Sequence, residues 1–231
     1  VRRDQLNTGL KVDLGNGTRL SLSGMTLQQP DTQDPLGLTA AQAAQNPRQV
    51  VANALLFNTR KSIEHDQVGA ALEHPLSAST RLQASAWGGT RDVEQFLAIP
   101  IGNQNAITHS GGVVSLDRVF GGAGLRVSGE AALATKPLRW TLGMEYERME
   151  ERRRGYMNNN GVQGALKRDE DNVVASTGFF GQAEWKFAER WSAHLGLRTS
   201  RVEFESADFF VTADPLNGDD SGAKTCHATT P

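Results

Sequence analysis

The sequence predicts an all-β protein, an antiparallel up-and-down transmembrane β-barrel of which about eight strands are present. Apolar and polar residues alternate over long stretches, short and long connections follow each other in turn, and three tryptophans lie on apolar faces close to short turns. A period of two residues is the pattern of a strand whose two faces meet different surroundings. Tight turns at one rim and long loops at the other are typical of membrane β-barrels.

The clearest alternation runs from Thr177 to Arg201 and reads as a hairpin. Trp185 lies on the apolar face of its first half and Trp191 on that of its second half. Trp140, from another hairpin, completes a predicted aromatic girdle at one membrane interface. The predicted lipid-facing residues are Leu142, Ala183, Leu195 and Leu197, and the predicted lumen-facing residues are Glu145, Glu184, His194 and Arg198.

Three further hairpins precede this one in the chain. The first turns at Gly15-Asn16-Gly17, the second between Pro75 and Ser79, and the third at Thr135-Lys136-Pro137. Asn-Gly between alternating runs is a strong hairpin signal. The strands drawn in this way have about 10 to 20 residues, whereas soluble sheets average about 5 to 6 and membrane strands need about 9 to 11.

Long polar segments separate the hairpins, and we expect them to form irregular loops at one rim. They are Gln29–Lys61, Leu97–Ser110, Arg154–Glu170 and Val211–Ala223. In the first, Thr39 is a candidate cap for a helix of one or two turns. In the last, Asp214, Asn217, Asp219 and Asp220 depart from the order of an EF-hand loop, which favours a solvated loop over a calcium site.

The tetrad Gly121-Gly122-Ala123-Gly124 interrupts the alternation of the strand around it. Val114, Leu116 and Phe120 occupy even positions before it, whereas Leu125 and Val127 occupy odd positions after it. One inserted residue produces such a change, so the pattern predicts a glycine β-bulge within one long strand. A phosphate-binding loop is disfavoured because no helix follows.

Composition excludes several functions. The 24 basic and 26 acidic residues give no cationic footprint for nucleic acid, and no run of about 18 apolar residues predicts a membrane helix. The five histidines are scattered without ligand spacing, Cys226 is alone, and no nucleophile motif occurs in a suitable context. We therefore expect neither an enzyme nor a metal or cofactor site. The chain begins Val-Arg-Arg and stops at Pro231 without a closing element, which suggests part of a longer protein.

Several stretches resemble the barrel of TonB-dependent outer-membrane receptors, in particular ferric siderophore receptors of the ferric-citrate type. The longest is Leu138–Gly164, with Arg152-Arg153-Arg154-Gly155-Tyr156 inside it. Shorter ones are Phe180-Gly-Gln-Ala-Glu-Trp, Pro35-Leu-Gly-Leu-Thr, Leu56-Phe-Asn-Thr-Arg-Lys and Asp219-Asp-Ser-Gly. The resemblance covers nearly the whole chain, and such diffuse motifs identify the class better than the ligand.

The resemblance implies a 22-stranded barrel with an N-terminal plug domain in the bacterial outer membrane. Residues 1–231 would supply eight of its strands, with a ninth beginning near Cys226, and would lack the plug, the TonB box and the C-terminal strands. The implied cargo is a ferric siderophore. The implied partners are the TonB-ExbB-ExbD complex, reached through the plug, and the lipid and lipopolysaccharide of the outer membrane.

Ferric chelates are often anionic, so their binding favours guanidinium groups with aromatic or amide neighbours. The candidate residues at the extracellular mouth are Arg91, Gln95, Arg152, Arg153, Tyr156 and Arg168. Alternation along the strand predicts that one of Arg152 and Arg153 points inward and the other outward. These arginines are equally able to pair with Glu147, Glu150 and Glu151 or with lipopolysaccharide phosphates. A passive porin or structural barrel, or a soluble all-β binding protein, remains an alternative to the receptor.

Overall fold

A single antiparallel sheet makes up most of the computed structural model, which describes residues 2–210 and 224–230. Within those residues the sheet has nine strands, and each pairs with the next one in the chain. The strands are β1 (Asp4–Gly15), β2 (Thr18–Gln33), β3 (Arg60–Pro75), β4 (Thr80–Phe96), β5 (Val113–Leu133), β6 (Lys136–Asn159), β7 (Val162–Ala188), β8 (Trp191–Asp208) and β9 (Lys224–Thr230). The helices are α1 (Ala40–Gln45), α2 (Ala52–Leu56) and α3 (Ile101–Gln104). None of these helices is long and apolar enough to cross a membrane.

The up-and-down order confirms the predicted architecture, including a ninth strand near Cys226. The sheet is open, with β1 at one edge and β9 at the other. The short turns between β1 and β2, β3 and β4, β5 and β6, and β7 and β8 lie at one end of the strands. Two of them use pairs of residues with positive φ, Asn16 (51°) with Gly17 (74°) and Ala134 (49°) with Thr135 (62°). Such left-handed pairs are typical of two-residue hairpins because their twist matches that of the strands.

The connection between β6 and β7 differs from the prediction of a long irregular loop over Arg154–Glu170. Both strands continue through that segment, and only Asn160 and Gly161 turn the chain, with φ of 51° and 91°. The backbones of β6 and β7 pair through this segment, and next to it Arg152 of β6 contacts Asp169 of β7 at 2.9 Å. Long connections do join β2 to β3 and β4 to β5 at this end, which we call the long-loop end.

The predicted glycine β-bulge in β5 is also wrong. Pairing with both neighbours runs without a register shift through the tetrad, from Gly121 opposite Gly88 and Arg148 to Gly124 opposite Ser85 and Glu145. The apolar phase changes for another reason. Before the tetrad, Leu116 and Phe120 lie on the polar face of the sheet, whereas after it Leu125 lies on the apolar face.

The helix predicted after Thr39 is confirmed as α1. The Thr39 side chain accepts a hydrogen bond from the Gln42 backbone N–H at 3.3 Å, and Gln42 Oε1 accepts one from the Thr39 N–H at 2.9 Å. This reciprocal pair is a capping box, which supplies partners for two backbone donors at the helix start. The acidic segment from Asp214 to Asp220 lies outside the described residues.

The register gives the sheet two chemically distinct faces, because residues directly opposite each other in neighbouring strands point to the same side. One row joins Leu82, Val127, Leu142, Gly181 and Leu197, and the row beside it joins Trp140, Ala183 and Leu195. We call this side the apolar face. Glu145, Glu184, His194 and Arg198 lie on the other side, the polar face, as predicted.

Large apolar side chains remain exposed across the apolar face, with Leu142 59%, Leu195 68% and Leu197 74% accessible. A soluble domain rarely exposes such a wide contiguous patch. Trp140, Trp185 and Trp191 share this face at its tight-turn end, where the predicted girdle belongs. On β6 the apolar residues run from Leu138 to Tyr146, about 27 Å along the strand, which suits the ~25 Å band of a membrane barrel once the strand tilts.

The apolar stretch shifts along the strands from one edge of the sheet to the other. Leu10 lies near the middle of the apolar stretch on β1, and Leu195 lies near its middle on β8. The pairing row that starts at Leu10 does not reach β8 at Leu195 but at Arg201, six residues further along the strand. Over seven strand spacings this offset corresponds to a tilt of roughly 30° against the band. Strands of membrane barrels tilt by about 35 to 45°.

Candidate functional site

Cationic side chains gather on the polar face near the long-loop end. They come from five strands, β3 to β7, and occupy three consecutive pairing rows. The first row joins Lys61, Gln95, Val114, Gly155 and Arg168, the second Ile63, Val93, Leu116, Arg153, Glu170 and Asp208, and the third His65, Arg91, Arg118, Glu151, Asn172 and Ser206. We call Lys61, Arg91, Arg118, Arg153 and Arg168 the cationic surface.

Four of the six predicted site residues are brought together here. Arg91, Gln95, Arg153 and Arg168 share the polar face, although they come from β4, β6 and β7. Strands about 4.8 Å apart and rows about 7 Å apart place the Cα atoms of Arg91 and Arg153 roughly 12 Å from each other. Long arginine side chains at that separation are able to reach the same small ligand.

The other two predicted residues lie on the opposite side. Arg152 is paired with Asp117 and Asp171 on the side of the apolar face, and Tyr156 is opposite Val113 on that side too. The guanidinium of Arg152 is occupied there. It donates to both oxygens of Asp169, at 2.9 and 3.0 Å, lies 3.4 Å from Asp171, and stands 5.7 Å over the Phe209 ring.

Two members of the cationic surface have carboxylate partners. Arg118 forms an ion pair with Glu151, a buried carboxylate with 8% of its surface exposed, and Arg168 lies 2.7 Å from Glu170. Within the described part of the chain no carboxylate lies within ion-pair distance of Lys61, Arg91 or Arg153. Their charges are therefore available to a ligand.

The two sides of the sheet carry opposite net charge at this height. In the three rows of the polar face, the five cations face only the carboxylates of Glu151, Glu170 and Asp208. In the interleaved rows of the other side, three arginines face six carboxylates. Those arginines are Arg60, Arg152 and Arg154, and those carboxylates belong to Glu64, Asp92, Glu94, Asp117, Asp169 and Asp171. An anion is thus attracted to the polar face and repelled from the other.

Arg154 lies on the same side of the sheet as Arg152 and remains charged. Burial lowers the pKa of its guanidinium, but contacts with Tyr156 and Asp117 outweigh burial and raise that pKa above its ordinary value. It lies 2.6 Å from the Asp117 carboxylate. This pair, like that of Arg152 with Asp169, uses charges within the sheet.

Aromatic side chains lie beside the cationic surface. The His65 ring stacks on Phe120 with centroids 5.5 Å apart, and Trp87 is 5.8 Å from the same phenyl ring. His65 is only 8% exposed, and its Nδ1 has no hydrogen-bond partner among the described residues. Sequence reasoning missed Lys61, His65 and Arg118. Lys61 and His65 flank Ile63 at two-residue spacing, and Arg118 follows Leu116 at the same spacing, so each set shares one face of its strand. Only the register between strands shows that these residues lie together.

Comparison with known proteins identifies the class to which this sheet belongs. Residues 5–231 match the family model "TonB dependent receptor-like, beta-barrel". The chain belongs to this family of outer-membrane receptors, which are transporters rather than enzymes, and the resemblance seen in the sequence is confirmed.

Solved structures with the same fold include siderophore receptors. The ferric citrate transporter FecA in its unliganded form gives a TM-score of 0.75 at 11% identity over 99% of this chain and 32% of that one. The siderophore receptor PiuA from Acinetobacter baumannii gives 0.69 at 17% identity over 99% and 38%, and the ferric-catecholate import receptor Fiu from E. coli K12 gives 0.66 at 12% over 98% and 43%. The chain therefore spans less than half the length of these receptors, and the likeness shows the fold alone.

Proposed function

We propose that this chain is the part of a TonB-dependent receptor barrel that helps to import a ferric siderophore across the bacterial outer membrane. The observation that carries the proposal is the opposite charge of the two sides at the long-loop end. The side that turns away from the apolar face is cationic, with Lys61, Arg91 and Arg153 free of carboxylate partners among the described residues. An anionic ferric chelate entering the lumen would meet these groups.

The proposed ligand-binding residues are Arg91, Gln95, Arg153 and Arg168. Guanidinium groups bind carboxylate and other planar oxygen pairs through two parallel hydrogen bonds, and Gln95 adds an amide donor. Arg152 and Tyr156 are left out of this surface because they face the other side. The transported ligand is the ferric chelate itself, so the proposal requires no resident cofactor.

The proposed partners follow from the same orientation. Acyl chains of outer-membrane lipid cover the apolar face, and lipopolysaccharide surrounds the barrel above it. Energy for transport comes from the TonB-ExbB-ExbD complex, which would contact a plug domain outside residues 1–231.

The test compares two adjacent arginines in the full-length protein. Arg153→Ala removes a group from the proposed surface, and Arg152→Ala removes one from the opposite side. Binding of ferric citrate, a ferric catecholate and a ferric hydroxamate is measured on outer membranes with equal amounts of receptor. For the chelate that binds, we expect Arg153→Ala and Arg91→Ala each to raise Kd about tenfold or more, since hydrogen bonds to charged groups contribute about 1.5–3 kcal/mol.

Arg152→Ala should leave that Kd unchanged. Equal affinities in all three variants would reject the cationic surface as the binding site. Absence of binding by every ferric chelate would reject the cargo.

A further inference from the structure

Two fully buried polar side chains lie at the long-loop end, where water would be expected. Asn158, near the end of β6, and Gln104, the last residue of α3, are both 0% exposed. Asn158 belongs to a strand, whereas Gln104 belongs to the connection between β4 and β5. Buried amides are retained only when their hydrogen bonds are made, so their partners show what the two residues hold together.

Asn158 uses both ends of its side chain on backbone groups of other segments. Its Nδ2 donates to the carbonyl of Phe57 at 2.9 Å and to that of Leu97 at 3.0 Å, and its Oδ1 accepts from the Gly161 N–H at 2.7 Å. The β2–β3 connection, the β4–β5 connection and the β6–β7 turn therefore meet at one amide.

Gln104, in the β4–β5 connection, hydrogen-bonds to the backbone of Asn158. Its Oε1 accepts from the Asn158 backbone N–H at 2.6 Å, and its Nε2 donates to the carbonyls of Ile99 at 2.5 Å and Asn158 at 3.3 Å. The Gly112 N–H adds a bond of 2.8 Å to the Tyr156 carbonyl. The packing leaves no space at Gly112, where an added Cβ would lie 2.9 Å from both Asn158 and Gln104.

Apolar burial is concentrated in the same region. All of the buried hydrophobic residues in the described chain lie at the long-loop end, namely Ala54, Phe57, Ile63, Val93, Phe96 and Val113. Arg60 covers Phe96 on one side of the sheet, with its guanidinium 3.5 Å from the Phe96 ring centroid and 3.5 Å from the Gly161 carbonyl. Elsewhere the described sheet leaves many large apolar side chains exposed, such as Leu142, Leu195 and Leu197.

We infer that Asn158 and Gln104 fasten the connections 34–59 and 97–112 and the tip of the β6–β7 hairpin into one preformed cap, which opens as a unit rather than loop by loop. The cap is continuous with the row of Lys61, Gln95 and Arg168 on the polar face. If the cap is preformed, a chelate that enters the lumen meets this row already assembled, and this consequence rests on the proposed function. The inference that the connections open together does not depend on the proposed function.

The test follows hydrogen exchange by mass spectrometry in the full-length protein in detergent, without any ligand. Asn158→Ala removes the two donors and one acceptor, and Asn159→Ala, at the exposed neighbouring residue, is the matched control. We expect Asn158→Ala to accelerate exchange about tenfold or more in residues 52–60 and 97–106 together, with the strands of the apolar band unchanged. Asn159→Ala should exchange like the parent protein.

Two further variants separate the inference from a folding defect. Asn158→Asp keeps the acceptor for Gly161 but removes both donors, so it should behave as Asn158→Ala does. Gln104→Ala changes a connection rather than a strand and should loosen the same two segments. If either Asn158 variant keeps the protection of the parent protein, or if only one of the two connections loosens in the variants that assemble, the cap is not a single unit.

Discussion

Arg152 and Arg153 are neighbours in the chain, yet the structure separates them by the full thickness of the sheet. Arg152 forms a bidentate pair with Asp169 on the side of the apolar face, whereas Arg153 lies opposite Glu170 on the polar face, where Glu170 contacts Arg168. The pleat alone produces this division, because successive side chains of a strand point to opposite sides. The two arginines therefore lie on opposite sides of the sheet, and the resulting charge difference defines the candidate surface.

The orientation of the apolar face is open to a direct test with two adjacent residues. Leu195→Arg places a charge among exposed apolar side chains, whereas His194→Arg places one beside Glu184 on the polar face. We expect Leu195→Arg to destabilise the barrel by about 2–4 kcal/mol and to lower the folded fraction in the outer membrane. Heat-modifiable mobility in gels measures this fraction. His194→Arg should assemble normally, and the reverse result would exchange the lipid and lumen assignments.

Much of the sheet was predictable because alternation is a local property of the sequence. Residues within a few positions of each other predict the faces of Leu142, Leu195 and Arg198, the tight turn at Asn16 and the helix N-cap at Thr39. The β6–β7 turn also carried a local signal, Asn160-Gly161 between alternating runs. It was missed because charged residues on both sides of those strands gave the appearance of a loop.

Contacts between distant segments were not predictable in this way. Asn158 bonds to Phe57 and Leu97, residues 101 and 61 positions away, and no periodicity identifies such partners. The apparent bulge at Gly121 has the same origin. Leu116 packs on the polar face because Val93 and Ile63 lie beside it in the same row, and only the register reveals that row.

The topology predicts which turns are reached from outside the cell. The exposed Cys226 is first replaced by serine, and single cysteines are then introduced at Asn46, Asn159, Asn16 and Ala188. A membrane-impermeant thiol reagent applied to intact cells should label the first two, at the long-loop end, and miss the last two, at tight turns. All four should react after the cells are lysed. Labelling of Asn16→Cys in intact cells without labelling of Asn159→Cys would show that the barrel has the opposite orientation in the membrane.

Packing on the polar face predicts that replacing Gly143 by alanine lowers stability more than replacing Gly196 by alanine. A Cβ at Gly143 would clash with the Phe180 ring, which covers this glycine from the neighbouring strand, whereas at Gly196 the nearest atom would be 3.9 Å away. Gly143→Ala must displace the ring, and we expect a cost of about 1–3 kcal/mol. Gly196→Ala should cost less than about 1 kcal/mol. Urea unfolding of the refolded full-length protein measures both, and equal midpoints would show that the ring moves freely.

The last prediction concerns the buried carboxylate of Glu151. Arg91 and Arg118 stand directly opposite each other on adjacent strands, an arrangement in which like charges repel, and Glu151 compensates by pairing with Arg118. Glu151→Gln leaves two facing guanidinium groups without that compensation, so we expect a loss of about 3–5 kcal/mol, as for a broken buried ion pair. The exposed Glu147 lies four residues away on the same face, and Glu147→Gln should have little effect.

A double-mutant cycle separates the ion pair from simple loss of packing at Glu151. Arg118→Met combined with Glu151→Gln removes both charges, so the double variant should be more stable than the sum of the two single losses predicts. Urea midpoints at two salt concentrations provide the measurement. Added salt should recover part of the stability of Glu151→Gln, because it screens the repulsion between Arg91 and Arg118 where these are open to solvent. Additive losses that do not respond to salt would show that Glu151 serves only to fill space.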